Sequence, residues 1–255
     1  AYNRLTPALA EVRGGEPVHC LLPVPADQAG ECIVECTRIQ RIKTTLSDEQ
    51  WRANIAQLTA LSPEHVSCYQ MSIEPGTELA LLADSDHYHE PPQEICAAHY
   101  SILQQMLEQA GYRQYEISNF AIPGRESIHN SSYWERVPYL GLGASAHSFD
   151  GRSCRCSNIA DIKSYIGAME GNVSLNIRND EILSEDDKFN EQIMLGLRKV
   201  AGLSLSSLEN SRLAKIKPVL EHLTNTGDII SEGDTIRIPK ERLFVSDGIM
   251  QQLFL

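Results

Sequence analysis

From Ser47 onward the apolar residues fall into helical and strand periods, separated by glycine and proline. Ahead of that point Pro, Gly, Ala and charge are scattered without sustained periodicity. Ser47 and Gln50 make an S-x-x-Q capping box for a helix that places Trp51, Ile55, Leu58 and Leu61 on one face, and Pro63 stops it. His65 to Ile73 reads as a buried strand ending in a turn at 74–77. Residues 81–93 read as an exposed loop. Ile95, Ala98, Ile102, Met106 and Ala110, with Leu103 and Leu107 alongside, then predict a helix closed by Gly111. Tyr112 to Phe120 predicts a strand, and Pro123-Gly124 a turn. Tyr165 to Gly171 predicts a short helix. Ser184 and Asp187 cap a clearer one carrying Phe189, Ile193, Met194, Leu197 and Val200, closed by Gly202. One or two helices follow from Leu205 through Leu213, Ile216, Leu220 and Leu223 to Gly227. Next come a hairpin, Ile229-Ile230 against Thr235 to Ile238 about Gly233-Asp234, and a last helix from Ser246 to Phe254.

Two successive helix-then-strand units predict an α/β fold built as a parallel barrel or open sheet. In such folds polar groups at the carboxyl ends of strands face the site, which makes Gln70, Glu74, Glu116 and Asn119 pocket candidates. A turn-capping role for Glu74 explains it equally well. The helices and hairpin after residue 184 resemble a winged helix. That segment carries 9 Lys and Arg against 11 Asp and Glu, whereas a DNA-gripping module is basic on its contact face.

Composition narrows the partners. With 34 acidic against 22 basic residues the net charge is −12, which disfavours nucleic acid and anionic membrane surfaces. No apolar run approaches the roughly 20 residues of a membrane helix, and no basic-then-apolar leader opens the chain, so a cytoplasmic protein without a transmembrane segment is expected. Seven cysteines suit reduced thiols better than a disulfide framework.

Candidate chemistry concentrates between Gly111 and Asp150. His129-Asn130-Ser131-Ser132-Tyr133-Trp134 sets a possible ligand or proton donor beside two aromatics, and Gly141-Leu142-Gly143 lets backbone approach something closely. Gly141-x-Gly143-x-x-Ala146, with Asp161 about twenty residues on, formally matches a dinucleotide fingerprint. Phe149-Asp150-Gly151-Arg152 interrupts the helix that fingerprint must open, so it is set aside. His87-x-His89 has no third metal ligand placed by sequence, and Cys154-x-Cys156 is a lone pair without a partner pair.

Three motifs in order, YEISNFAxPGxES (Tyr115–Ser127), HNxxYW (His129–Trp134) and YLGLGxxAHSF (Tyr139–Phe149), resemble the oxygen-independent coproporphyrinogen III oxidase-like proteins, in the haem-chaperone (HemW) branch of the radical SAM superfamily. The likeness runs from about Thr44 to Leu255. It implies the last units of a radical SAM-type (β/α) barrel over 44–172 and a carboxyl-terminal domain over 173–255. Residues 1–43 are left unassigned, as a truncated or non-native lead-in.

The resemblance also implies haem binding at His129, Asn130, Tyr133 and Trp134, with the His129 imidazole as axial ligand to haem iron and the aromatics over the porphyrin face. The plainer alternative is that His129 hydrogen-bonds backbone while the aromatics fill core. His147 is a second ligand candidate, and Cys154 or Cys156 a weaker one. Radical SAM relatives hold a [4Fe–4S] cluster and S-adenosylmethionine through CxxxCxxC. Here Cys32-x-x-x-Cys36 supplies the first spacing, but Ile39 stands at the third thiolate position.

The expected function is therefore a haem chaperone handing haem to an acceptor protein. The alternatives are a radical SAM enzyme of porphyrin synthesis or an inactive fragment of either. A barrel without its early strands exposes a sheet edge, which predicts self-association.

Overall fold

In the computed structural model residues 33–34, 46–70, 73, 75–85, 88–171 and 177–255 are described. The chain divides into two compact units, Ala1–Tyr112 and Arg113–Leu255.

In the first unit β1 (Ile33–Val34) pairs in parallel with β2 (His65–Ser67), Ile33 opposite His65 and Val34 opposite Val66. Helix α1 (Asp48–Ala60) starts where the capping box requires. The Ser47 hydroxyl accepts from the Gln50 amide, and the Gln50 side chain accepts from the Ser47 amide. Its buried face is Ile55 and Leu58. Leu61, expected on that face, is the C-cap and stands 57% exposed, because the backbone turns away at Ser62 (φ 53°) before Pro63.

Strand β2 is shorter than the expected run to Ile73. Glu74 and His87, like the cysteines at 32 and 36, lie outside the described residues. Helix α2 (Glu78–Asp84) occupies part of the expected 81–93 loop, since Thr77 caps it by accepting from the Ala80 amide. Helix α3 (Gln93–Gln109) follows the predicted stripe, burying Ile102, Leu103 and Leu107, and Gly111 takes φ +90° just beyond its end. α3 packs on α1. The Trp51 indole donates to the His99 carbonyl at 2.8 Å, and the His99 ring lies 3.3 Å from Asp48.

The second unit opens differently from expectation. The single strand expected at 112–120 is two short strands, β3 (Arg113–Gln114) and β4 (Asn119–Ala121), folded back antiparallel with Arg113 opposite Ala121. The reversal is stabilised locally: the Ser118 amide donates to Glu116 Oε1 at 2.7 Å, and the Gln114 side chain donates to the Ile117 carbonyl at 3.0 Å.

After α4 (Ile128–Trp134) come β5 (His147–Phe149), β6 (Cys154–Asn158), α5 (Ile162–Met169) and β7 (Arg178–Ile182). The sheet order is β5-β6-β7, antiparallel throughout, with Ser148 opposite Cys156 and Cys156 opposite Asp180. The sequence predicts no strand between Phe120 and Ile229. The four residues between β5 and β6 are too few for a parallel crossover, and Asp150 closes them as a turn by accepting from the amides of Arg152, Ser153 and Cys154. All five β7 residues are exposed, and three of them are charged, which blunts an edge strand against pairing.

The remainder is α6 (Glu185–Arg198), β8 (Leu203–Ser204), α7 (Asn210–Asn225), β9 (Ile230–Glu232), β10 (Thr235–Arg237) and α8 (Ser246–Gln251). Its antiparallel sheet has the order β8-β10-β9. The predicted hairpin is β9–β10; the third strand, β8, has no pattern of its own in two residues. Phe189, Ile193, Leu197, Ile216, Leu223 and Ile236 are buried in this unit's core.

The α6 cap is expected to matter measurably. Ser184 Oγ accepts from the Asp187 amide at 3.1 Å, and the Asp187 carboxylate accepts from the Ser184 amide at 2.9 Å. Ser184→Ala should cost about 1 kcal/mol in urea unfolding. The Ser184 hydroxyl, and after it the Ser184 amide, hold the Asp187 carboxyl below its ordinary value. A lowered folded-state value means the contribution is complete above the unfolded value of about 3.9 and is lost as pH falls through the folded one. The stability gap between wild type and Asp187→Asn should therefore be widest near neutrality and close in acid.

Candidate functional site

Helix α4 carries the HNxxYW residues. It is positioned by a tight turn at Ile122–Arg125, where the Arg125 amide donates to the Ile122 carbonyl at 2.8 Å and Gly124 takes φ +84°. Ser127 then caps the helix by accepting from the Asn130 amide at 3.1 Å. The helix ends as Arg136 adopts φ +57° and the Val137 amide donates to the Ser132 carbonyl.

One helical turn apart, His129 and Tyr133 meet edge to face, ring centres 4.9 Å apart, with His129 Nε2 3.1 Å from the Tyr133 hydroxyl. Tyr133 meets Tyr139 the same way at 4.8 Å, and Tyr139 stands 6.3 Å from Phe149, to which it is also joined by a reciprocal backbone pair. The result is a row of four rings running from an exposed imidazole to a buried phenyl. At the buried end the guanidinium carbons of Arg136 and Arg155 stand 5.3 and 5.0 Å from the Phe149 ring centre, and both arginines pair with Glu191, at 3.5 and 2.8 Å.

Trp134 has a different neighbour. The Arg198 guanidinium sits 4.7 Å from its ring centre and donates to the fully buried carboxylate of Glu116 at 2.8 Å. The Trp134 indole nitrogen is buried without a hydrogen-bond partner among the described residues. Arg198 was not singled out from the sequence. It closes the last turn of α6, and no local pattern links it to Glu116 or Trp134.

The remaining candidates are dispersed. Asn119 is buried in β4, and His147 is exposed on β5. Gln70 is exposed in the first unit, beyond the end of β2. Close approach at Gly141 is real, but to protein: a Cβ there would fall 2.1 Å from the His147 carbonyl oxygen. The Gly141 amide donates to Ser148 Oγ, the Gly143 amide donates to the Tyr165 hydroxyl, and both glycine carbonyls accept from the Asn158 side chain. Gly143 leads into a strand, not into the helix that a dinucleotide fingerprint must open, and Asp161 is the N-cap of α5. Among the described residues no three His, Cys, Asp or Glu side chains group as a metal site. No helix there is long and apolar enough to cross a membrane.

The four rings pass from the exposed His129 through the half-buried Tyr133 and Tyr139 to the buried Phe149. Two concavities in this unit, of about 290 and 580 Å³, are lined by Arg136, Arg152, Lys188 and Arg212 and by Leu213, Lys217 and Leu220 respectively, and neither includes His129.

No family model matches the chain. It is 39% identical over 145 residues to the haem chaperone HemW of Bacillus subtilis, covering 57% of this chain and 38% of that protein. It is 33% identical over 181 residues to the HemW of Synechocystis, covering 70% and 43%. Over these stretches the chain is similar to the HemW haem chaperones. It spans less than half the length of these two proteins. The structure of coproporphyrinogen III oxidase (HemN) from Escherichia coli, a radical SAM enzyme, superposes with a TM-score of 0.62 at 18% identity, over 82% of this chain and 52% of that one. The chain therefore shares an α/β fold with HemN.

Proposed function

We propose that this chain binds haem on the open face of α4 and releases it to an acceptor protein, in the manner the HemW name describes. The observation that carries the reading is the exposed His129 imidazole at the head of the Tyr133, Tyr139 and Phe149 row, in a segment resembling the HemW branch. Haem iron supplies axial positions that accept an imidazole nitrogen. His129 would hold it, Tyr133 and Tyr139 would offer ring edges and faces to the macrocycle, and Ile128, 83% exposed beside His129, adds apolar surface. Asn130 and Trp134, implied by the resemblance, belong to the same helix and set its geometry. A surface row buries one side of a flat ligand and leaves the other accessible, which suits transfer better than an enclosed cavity does.

We assign haem carriage rather than cleavage of S-adenosylmethionine to this polypeptide because Ile39 stands where the third cluster thiolate is needed. We further read 44–172 as distal barrel units and 173–255 as a winged-helix-like terminal domain. The helices α6 and α7 with the β8-β10-β9 sheet support the second assignment.

Titration with haem should give a Soret band shifted from that of free haem, and His129→Ala should weaken binding about tenfold and change the band position. Wild-type spectra identical to free haem, or a band insensitive to His129→Ala, would refute the assignment.

A further inference from the structure

We infer that Tyr133 is a gate on His129, holding the imidazole nitrogen that haem iron would need and so lowering affinity to keep transfer reversible. The inference rests on the haem-binding reading above and changes the role given to Tyr133, from covering a porphyrin face to competing with the metal.

The geometry points to competition. His129 Nε2 is the ring nitrogen farther from the backbone, the one a bulky planar ligand reaches from solvent on a helix surface. It lies 3.1 Å from the Tyr133 hydroxyl. A neutral imidazole has one bare nitrogen, and a phenolic O–H is a good donor to it, so the favoured arrangement is Tyr133 donating to Nε2 with the proton on Nδ1. A lone pair engaged in that bond is unavailable to iron. Coordination at Nε2 therefore requires the hydroxyl to withdraw.

Withdrawal is hindered without being blocked. The Tyr133 ring is held edge to face between His129 and Tyr139, at 4.9 and 4.8 Å, and the edge contacts survive small rotations better than a hydrogen bond does. Both partners lie on one helix, four residues apart, so the bond re-forms once the ligand leaves. A hydrogen bond of ordinary net strength corresponds to about two- to tenfold in affinity, enough to bias release without preventing loading.

The test is Tyr133→Phe, which keeps the ring and removes the hydroxyl. With the full chain and haem as probe, the variant should bind about two- to tenfold more tightly than wild type and dissociate more slowly to apomyoglobin. Without haem, diethyl pyrocarbonate should modify His129 faster in Tyr133→Phe, read by peptide mass mapping, because the reagent also needs a free imidazole nitrogen. Haem binding that is unchanged or weaker in the variant, or an unaltered modification rate, overturns the gate. Wild type failing to bind haem at all overturns the underlying reading, and the modification rate still reports whether Tyr133 masks the nitrogen.

Discussion

Arg198→Ala is expected to destabilise the protein by about 3 kcal/mol, because it leaves the Glu116 carboxylate buried and uncompensated. Glu116 is fully buried, while the Arg198 side chain is 24% exposed, so solvent reaches one side of the pair and the lower end of the usual range applies. The second Glu116 oxygen accepts from the Ser118 amide, a bond that also sets the β3–β4 reversal. The loss should therefore spread from the ion pair to that reversal, and through Trp134, on which Arg198 stacks, to α4. Urea unfolding measures the size. Arg198→Lys should fall between, keeping charge and losing the planar stack and fork. The double variant Glu116→Gln with Arg198→Met should recover most of the loss, since no buried charge is then left alone. A single-variant loss below about 1 kcal/mol would mean that Glu116 reaches water when Arg198 is gone.

What the sequence disclosed and what it hid divide along one physical line. The starts of α1 and α6 were legible because a capping box is local: Ser47 with Gln50 and Ser184 with Asp187 satisfy their own helix's orphan amides within three residues. The α3 stripe and the β9–β10 turn at Gly233 are local for the same reason. The expected strand at 112–120 failed because its break answers to a distant residue. Glu116 must meet Arg198, 82 positions away, and no periodicity encodes that.

Helix α4 was missed as a helix because His-Asn-Ser-Ser has weak helical preference; the Ser127 cap and the Trp134–Arg198 contact hold it. The His129–Tyr133 pairing followed once the helix was known, since four residues bring side chains together there and would not in a strand. Gly141 advertised a close approach correctly, whereas Gly143 serves a positive φ with open space at its Cβ, and the pattern names no partner for either.

Gly141→Ala is expected to cost about 3 kcal/mol, at the upper end for added volume, because the atoms in the way are backbone. The new Cβ would lie 2.1, 2.7 and 2.8 Å from the oxygen, carbon and nitrogen of His147, the first residue of β5. A flexible side chain yields to a methyl group, whereas a strand paired to its neighbour does not. His147 is opposite Ser157 on β6, so relief requires shifting the strand or the loop, which breaks the bond from the Gly141 amide to Ser148. Gly143→Ala differs in kind: nothing lies within 4 Å of its Cβ, and only φ +105° opposes the change, so about 1 kcal/mol is expected. Thermal unfolding of the two variants separates steric overlap from backbone strain. Were the glycines instead a ligand contact, Gly141→Ala would leave the melting curve in place and weaken haem binding alone. The geometry requires the reverse order, with β5 and β6 loosening first and any effect on haem following, since Tyr139 and Phe149 hold the aromatic row to that same strand.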